Sequence, residues 1–373
     1  MNIPQWPVAG SREQELIEAV LASKQWGGFN EMVARVEREF AAYQQCRFGV
    51  AMANGTVTLE VGLKASGIGP GDEVIVPAIS FISTATAVAR VGAVPVFTDI
   101  EPYSFNIDPD RVEQAITKQT KAILAVHFGG PLADMVRLQE IATKHGLLLL
   151  EDAAHAHGSE WEGKRAGSIG QWSSFSFQNG KVLTCGEGGM VLTNDETVDA
   201  ALRSYSNQGR RPGFTWFHHF DLASNARFTG LQAAVLLSQL AELDGQIERR
   251  TRNATLLLDA LRDVNGITWQ KIDPRVTRNS WYLVLGRIDE AKLGMSRDAF
   301  HKHLTAAGVP CTPFYPHTLY DNPLWQSTPC RVHPCPVSEA CIRDAFWLPH
   351  YLLLGDEELI VQVAGVIERE VAA

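Results

Sequence analysis

An aspartate and a lysine lie in the part of the sequence whose residue types best suggest chemistry, residues 147–193. Asp152 ends the apolar run LLLLED, and Lys181 lies between the segments SSFSFQNG and TCGEGG. Ligands bind at the carboxyl ends of the strands in an open α/β sheet, so this carboxylate and this lysine can meet in one cleft. Pyridoxal phosphate (PLP) catalysis uses such a pair, because lysine forms a Schiff base with the aldehyde and a carboxylate pairs with the ring nitrogen. The sequence therefore predicts a PLP site that contains Asp152 and Lys181.

Three further segments could complete such a site, although each also has a purely structural explanation. NGT at 54–56 precedes a predicted helix, where backbone N–H groups can bind a phosphate, or it is an ordinary helix cap. Phe81 could stack on a flat ring or pack in the core. Ser176, which precedes Lys181 by five residues, could offer its hydroxyl to the phosphate or be a polar residue of a strand.

The elements that must position these residues follow from the hydrophobic pattern. Apolar residues recur at helical spacing over 13–25 and 31–43, and from about residue 48 short apolar strands alternate with helices. This alternation predicts an α/β domain with a mostly parallel sheet, over residues 1–245. A long helix begins near residue 231, and the shorter strands and helices beyond it predict a smaller α+β domain over 246–373.

Length, composition and charge limit the classes of function. The 373 residues predict about two domains, and the 45% hydrophobic content is ample for a core. The net charge of −9 argues against nucleic-acid binding by phosphate neutralisation and against a polybasic membrane anchor. No apolar run reaches the roughly 18 residues of a membrane-spanning helix, and the N-terminus does not resemble a signal peptide. We therefore expect a cytoplasmic enzyme with small-molecule substrates, without nucleic-acid or membrane partners.

The six cysteines are too few for a disulfide scaffold in a chain of this length. Cys330, Cys335 and Cys341, with His333 between them, could in principle bind zinc. There is no second clean pair, however, and two prolines indicate a turn-rich loop. We expect reduced thiols and no metal.

The order of the motifs resembles a known family. The matching segments are NGT at 54–56, VPAISFISTA, EDAAHAHG, SFSFQNGK, GEGG and SNARFTGLQAA. From about residue 10 to the C-terminus, the chain resembles the DegT/StrS-type sugar and cyclitol aminotransferases, which are fold type I PLP enzymes. The resemblance implies a PLP-binding large domain with a mostly parallel sheet of the seven-stranded type, followed by a small C-terminal domain.

The resemblance also implies a role for each matching residue. Lys181 would carry PLP and then move the proton, and Asp152 would pair with the ring nitrogen. His155 would lie near the ring hydroxyl, and Phe81 would stack on the ring. The residues that would hold the phosphate are Gly55, Thr56, Ser176 and, from the neighbouring subunit, Asn225. Two sites shared in this way imply a homodimer.

The motifs indicate the amine acceptor less clearly than they indicate the cofactor. Gln178 and the segment WLPHYLLLGD at 347–356 look more like the branch that acts on keto-cyclitols and aminohydroxybenzoate precursors, whose cyclitol members use L-glutamine as donor. Tyr315 and His317 could line the acceptor pocket, and Arg227 could contact substrate or have a structural role. Three alternatives stay open: a nucleotide-keto-sugar aminotransferase that uses L-glutamate, an aminohydroxybenzoate synthase-like dehydratase, and a non-catalytic regulator. Retention of Lys181 favours aminotransfer.

Overall fold

The computed structural model describes residues 1–372, and the helices and strands alternate as the hydrophobic pattern predicts. The α-helices are α1 (Ser11–Ser23), α2 (Glu31–Tyr43), α3 (Gly55–Ala65), α4 (Ser83–Arg90), α5 (Pro109–Ala115), α6 (Met135–His145), α7 (Glu196–Ser206), α8 (Gly230–Ala260), α9 (Glu290–Leu293), α10 (Arg297–Ala306), α11 (Pro336–Asp344) and α12 (Glu357–Ala372). Short 3₁₀ helices cover Leu319–Asp321, Pro323–Gln326 and His350–Leu354.

The strands form one large and two small sheets. They are β1 (Phe48–Met52), β2 (Glu73–Pro77), β3 (Val94–Thr98), β4 (Thr120–Val126), β5 (Leu148–Asp152), β6 (Glu160–Trp161), β7 (Lys164–Arg165), β8 (Trp172–Ser176), β9 (Gly189–Thr193), β10 (Ile267–Trp269), β11 (Val276–Arg278), β12 (Leu283–Ile288), β13 (Thr312–Pro313), β14 (Arg331–Val332) and β15 (Ala345–Pro349). The large sheet has the order β1-β9-β8-β5-β4-β2-β3-β14. The small sheets have the orders β10-β12-β15-β13 and β11-β6-β7.

The large sheet confirms the expected α/β class. Strands β8, β5, β4, β2 and β3 run parallel, and β9 is antiparallel to both of its neighbours. Helices cover both faces, so successive residues of one strand enter different apolar clusters: Leu149 packs with α2, α6 and α8, and Leu150 packs with α3, α4 and α7. Burial on both faces explains why this strand is apolar almost throughout.

One strand of the large sheet was not expected. Arg331 and Val332 form the short strand β14, which pairs in parallel with β3 inside the segment that we predicted to be a plain loop. The guanidinium of Arg331 donates to Glu73 and to the carbonyl of Ala115, which fixes this segment at the sheet edge. The sheet therefore has eight strands among the described residues, with β14 at the edge of a sheet that the resemblance implied to be of the seven-stranded type.

The C-terminal part packs around its own antiparallel sheet. This sheet consists of β10, β12, β15 and β13, and α10 and α12 pack against it. The apolar side chains of the sheet and these helices form one cluster with the end of α8. Helix α8 runs unbroken from Gly230 to Ala260, through the boundary that we placed at residue 245. The division into domains 1–245 and 246–373 stays a prediction.

Three further properties concern the described residues as a whole. Within 1–372, no helix combines the length and the apolar content that crossing a membrane requires. In the same range, no group of histidine, cysteine or acidic side chains is arranged to bind a metal ion. All six cysteines are free thiols.

Candidate active site

A cavity of about 720 Å³ opens where the carboxyl ends of β2, β5 and β8 meet the N-terminus of α3. Most of the residues predicted for the site line it: Gly55, Thr56, Phe81, Asp152, His155, Ser176, Lys181 and Tyr315. The chain brings these residues together from widely separated segments. Their convergence is what the rule for ligand sites in open α/β sheets requires.

Asp152 lies in the cavity wall as the last residue of β5. Its Oδ2 accepts a hydrogen bond from the Thr84 hydroxyl at 2.8 Å, and its Oδ1 accepts one from the Ala154 N–H at 3.3 Å. Burial raises the pKa of this carboxyl, against the Thr84 hydrogen bond and the positive charge of Lys181, which lower it. A cationic partner in the cavity would stabilise the negative charge of a carboxylate that is buried in this way.

Lys181 lies in the turn that follows β8, and its side chain is largely buried. Its Nζ lies 4.7 Å from the centre of the Tyr282 ring, close enough for a cation–π interaction. Tyr282 is the main site residue that the sequence did not reveal. It immediately precedes β12, far along the chain, and the pattern SWYLVLGRI indicated a strand without showing which residue faces the lysine.

The N-terminus of α3 and the end of β8 form a cup suited to a phosphate group. Asn54 caps α3 by accepting the Val57 N–H through its side chain, and the Thr56 hydroxyl lies 2.6 Å from that of Ser83. A Cβ at Gly55 would lie only 2.8 Å from the Cβ of Ser176, so glycine is what permits the close approach of these segments. Backbone N–H groups at a helix N-terminus favour an anion.

Replacing Gly55 by alanine is expected to weaken PLP binding by about 5- to 150-fold, because overpacking of a close contact costs about 1 to 3 kcal/mol. The measurement is a titration of the cofactor-free protein with PLP, followed by absorbance. Gly245→Ala is the matched control, since a Cβ at this helical position meets no heavy atom within 4 Å. Equal PLP affinity in the Gly55→Ala variant and the wild type would rule out a phosphate site here.

The aromatic side chains of the cavity suit a flat ring. Phe81 follows β2, is 59% exposed and lines the cavity. The His155 imidazole stacks on the Tyr282 ring, with centroids 4.2 Å apart and an interplanar angle of 30°. Its Nδ1 accepts the Gly129 N–H at 3.4 Å, which leaves Nε2 to carry the proton of the neutral ring.

Burial lowers the pKa of three histidines around Lys181. The pKa values of His155 and His350 lie well below the usual value, and that of His157 falls to about 3. Burial is the largest cause for all three, and the positive charge of Lys181 adds to it. All three imidazoles are therefore neutral at neutral pH.

These lowered pKa values predict a loss of stability in acid. Below about pH 6.5 the unfolded chain binds protons at imidazoles that stay neutral in the folded protein, so the free energy of unfolding falls as the pH falls. Each buried histidine contributes up to about 1.4 kcal/mol per pH unit, and about half of that near pH 6.5, where the imidazoles of the unfolded chain are half protonated. The raised pKa of Asp152 acts in the opposite sense. Urea denaturation at pH 5.5, 6.0 and 6.5 measures this slope. His157→Asn should reduce the slope and His303→Asn, at the surface, should not; equal slopes in both variants would refute the assignment.

Three residues predicted for the site lie outside this cavity. His317 is exposed, because the chain bends at Pro316 and His317 just after Tyr315, which does line the cavity. Arg227 lines a separate cavity of about 560 Å³ and donates to the Asn207 side chain at 2.8 Å. Asn225 is exposed near it, where its Oδ1 accepts the Arg227 N–H at 3.3 Å. The expected contact of His317 with an acceptor therefore lacks support within one chain.

The residues present fit PLP. The cup at Gly55 and Ser176 suits its phosphate, the buried carboxylate of Asp152 suits its ring nitrogen, and Lys181 supplies the amine that the aldehyde requires. A mostly parallel α/β sheet with this site at its carboxyl ends defines a PLP-dependent enzyme of fold type I.

Comparison with known proteins identifies the family. The model of the DegT/DnrJ/EryC1/StrS aminotransferase family matches residues 7–367, and the chain belongs to this family of PLP-dependent aminotransferases. It is 38% identical to the 3-amino-5-hydroxybenzoate synthase of Amycolatopsis mediterranei, over all of this chain and 98% of the relative. It is also 38% identical to a putative L-glutamine:3-amino-2,3-dideoxy-scyllo-inosose aminotransferase of Streptoalloteichus tenebrarius, over 99% of this chain and 95% of the relative.

A solved structure agrees with this assignment. The crystal structure of 3-amino-5-hydroxybenzoic acid synthase superimposes with a TM-score of 0.93 at 37% identity, covering 100% of this chain and 99% of that one. The resemblance stated from the motifs is thereby confirmed, including its branch.

Proposed function

We propose that this enzyme transfers the amino group of L-glutamine to the ketone of a keto-cyclitol of the scyllo-inosose type, in aminocyclitol or amino-sugar biosynthesis. The observation that carries the proposal is full-length similarity to a putative L-glutamine:keto-cyclitol aminotransferase. The cavity adds support, since hydroxyl and amide side chains line it: Asn54, Thr56, Ser80, Ser83, Gln178, Tyr282 and Tyr315. Polar groups of this kind can discriminate strongly among hydroxylated substrates.

We assign the chemical steps to Lys181 and Asp152. When bound, PLP would supply an electron sink for the negative charge that develops as the α-proton of the donor leaves. Lys181 Nζ would take this proton and later return one to the acceptor carbon, because it is the amine in the cavity wall. Asp152, which Thr84 orients, would keep the ring nitrogen protonated through its buried carboxylate. Donor and acceptor use the same site in turn, which makes the cycle ping-pong.

The remaining residues are assigned to binding and orienting the cofactor and the acceptor. Gly55, Thr56 and Ser176 would hold the phosphate, while Phe81 and His155 would border the ring. Tyr315 would contact the acceptor because it lines the cavity, and burial raises the pKa of its phenol, which stays protonated as a hydrogen-bond donor.

We also propose a homodimer with shared sites. Asn225 is exposed and outside the cavity of its own chain, as a residue that reaches a neighbouring site would be. Close to it in sequence, an exposed group of apolar side chains comprises Phe214, Trp216, Phe217, Phe220 and Leu222. Apolar patches of this kind mark interaction surfaces. Sedimentation equilibrium should give twice the chain mass, and a monomer with full activity would refute shared sites.

A second candidate is an aminohydroxybenzoate synthase-like dehydratase, which the similarity to the Amycolatopsis enzyme favours. A nucleotide-keto-sugar aminotransferase that uses L-glutamate is the third. Mass spectrometry of the products separates these functions, because dehydration removes water whereas transamination replaces a ketone oxygen by an amino group.

The test supplies the PLP-loaded protein in three parallel reactions: with L-glutamine and scyllo-inosose, with L-glutamate and a nucleotide keto-sugar, and with an aminohydroxybenzoate precursor. We expect a product only in the first reaction, an aminated cyclitol. A dehydrated, aromatised product from an aminohydroxybenzoate precursor would favour the synthase. Amination of only the nucleotide sugar would replace the keto-cyclitol proposal.

A further inference from the structure

The turn that carries Lys181 is held by hydrogen bonds to each of its backbone carbonyls. The carbonyl of Gln178 accepts the Lys181 N–H at 2.9 Å, which closes the turn. The carbonyls of Asn179, Gly180 and Lys181 take no part in this closing hydrogen bond. They accept hydrogen bonds from side chains distant in sequence. Two aromatic residues supply these donors.

Trp6 is the first donor and comes from the segment that precedes α1. Its indole Nε1–H lies 3.1 Å from the carbonyl oxygens of both Asn179 and Lys181, so one donor spans the turn. The carbonyl of nearby Val8 accepts from Gln239 of α8 at 2.9 Å, which ties this N-terminal segment to the body of the protein.

His350 is the second donor and comes from the C-terminal part. Its Nε2 lies 3.1 Å from the carbonyl oxygen of Gly180, and its Nδ1 accepts from the buried guanidinium of Arg250 at 3.4 Å. With Arg250 donating to Nδ1, the proton of the neutral imidazole must be on Nε2, where it points at the turn. The imidazole also meets the Trp6 indole edge to face, with centroids 4.8 Å apart.

The His350 imidazole is also linked to the Lys181 amine, through the ring of Tyr282. The rings of His350 and Tyr282 stack at 5.9 Å with an interplanar angle of 24°, and Lys181 Nζ lies over the Tyr282 ring. Backbone and side chain of Lys181 are thus both held by this aromatic group. None of Trp6, Arg250 and His350 lines the cavity, so these three residues act from behind the lysine.

We propose that Trp6 and His350, with Arg250 behind His350, are positioning residues that fix the direction in which Lys181 enters the cavity. The inference rests on the proposed role of Lys181. A shift of the turn by about 1 Å would move Nζ away from the reacting carbon, and misplacement of that size can cost about 10²-fold in rate. The N-terminal segment would therefore help to position Lys181 although Trp6 does not line the cavity.

The test is hydrogen–deuterium exchange of the Gly180 and Lys181 amides in the cofactor-free full chain, for Trp6→Phe and His350→Phe. Phenylalanine keeps an aromatic ring in place but removes the N–H donor. We expect exchange to become about five- to tenfold faster, the factor that loss of one net hydrogen bond produces. Trp325→Phe is the matched control, because its indole N–H donates to the Leu319 carbonyl, away from the turn.

In the PLP-loaded variants we expect kcat to fall about tenfold or more, with KM for the donor within about twofold of the wild type. Unchanged exchange at Gly180 and Lys181 in both variants would overturn the proposal, as would an equal increase in Trp325→Phe. The exchange measurement needs no substrate, so its outcome does not depend on which reaction the enzyme catalyses.

Discussion

Replacing Lys181 by alanine is expected to lower kcat by at least about 10³-fold. The side chain is proposed both to hold the cofactor and to move the proton at the donor α-carbon, and acid–base catalysis alone contributes about 10² to 10⁴ in rate. Steady-state turnover with L-glutamine and a keto-cyclitol measures the loss.

Two comparisons make this result specific. Lys164→Ala changes an exposed lysine of β7 and should leave kcat unchanged. Thermal unfolding should show that the Lys181→Ala protein is folded. Turnover of the Lys181→Ala variant at the wild-type rate would remove lysine catalysis from the mechanism.

Asp152→Asn is expected to lower kcat by about 10²- to 10³-fold, the cost of removing one preorganised electrostatic group. Asparagine has nearly the same shape; its Oδ1 can still accept the Ala154 N–H, and its Nδ2 can donate to the Thr84 hydroxyl, so the fold should survive. It carries no negative charge, however, and cannot hold a proton on the ring nitrogen of PLP. KM for the donor should change much less than kcat.

The control for this variant is Asp110→Asn, which removes a carboxylate that is 69% exposed and paired with Arg137. Surface pairs contribute little to stability, so activity and stability should stay near the wild type. If Asp152→Asn kept kcat within about threefold of the wild type, the carboxylate would not assist the ring nitrogen.

Local motifs explain why the central pair could be predicted from sequence. A carboxylate ends a buried strand, and a lysine follows later in a glycine-rich turn. This pattern predicts both the position of the site in the sheet and its chemistry. The structure brings Asp152 and Lys181 to one cavity as expected, together with Gly55 and Ser176. Their roles stay predictions until the variants are measured.

Other features depend on contacts between distant segments and left no local pattern. Three residues contact the lysine turn from distant parts of the chain. Tyr282 immediately precedes β12, Trp6 lies in the N-terminal segment, and His350 lies in a 3₁₀ helix. His350 lies in the segment WLPHYLLLGD, whose pattern does not show that the imidazole meets the lysine turn. Similarly, β14 forms because β3 offers an edge to pair with, and two residues are too few to show strand periodicity.

Adjacency in sequence was also a poor guide in the loop after β13. Tyr315 and His317 were predicted together as residues that could line the acceptor pocket. The chain bends at Pro316 and His317, so Tyr315 lines the cavity whereas His317 is exposed.

The most direct test is the visible absorbance spectrum of the purified, PLP-loaded protein, recorded before and after addition of L-glutamine, L-glutamate and L-alanine to separate samples. We expect a yellow protein that bleaches with L-glutamine alone and recovers its colour when a keto-cyclitol is added. The Lys181→Ala variant should not complete this cycle. A colourless protein that takes up no added PLP would contradict the central claim that Lys181 and Asp152 form a PLP site.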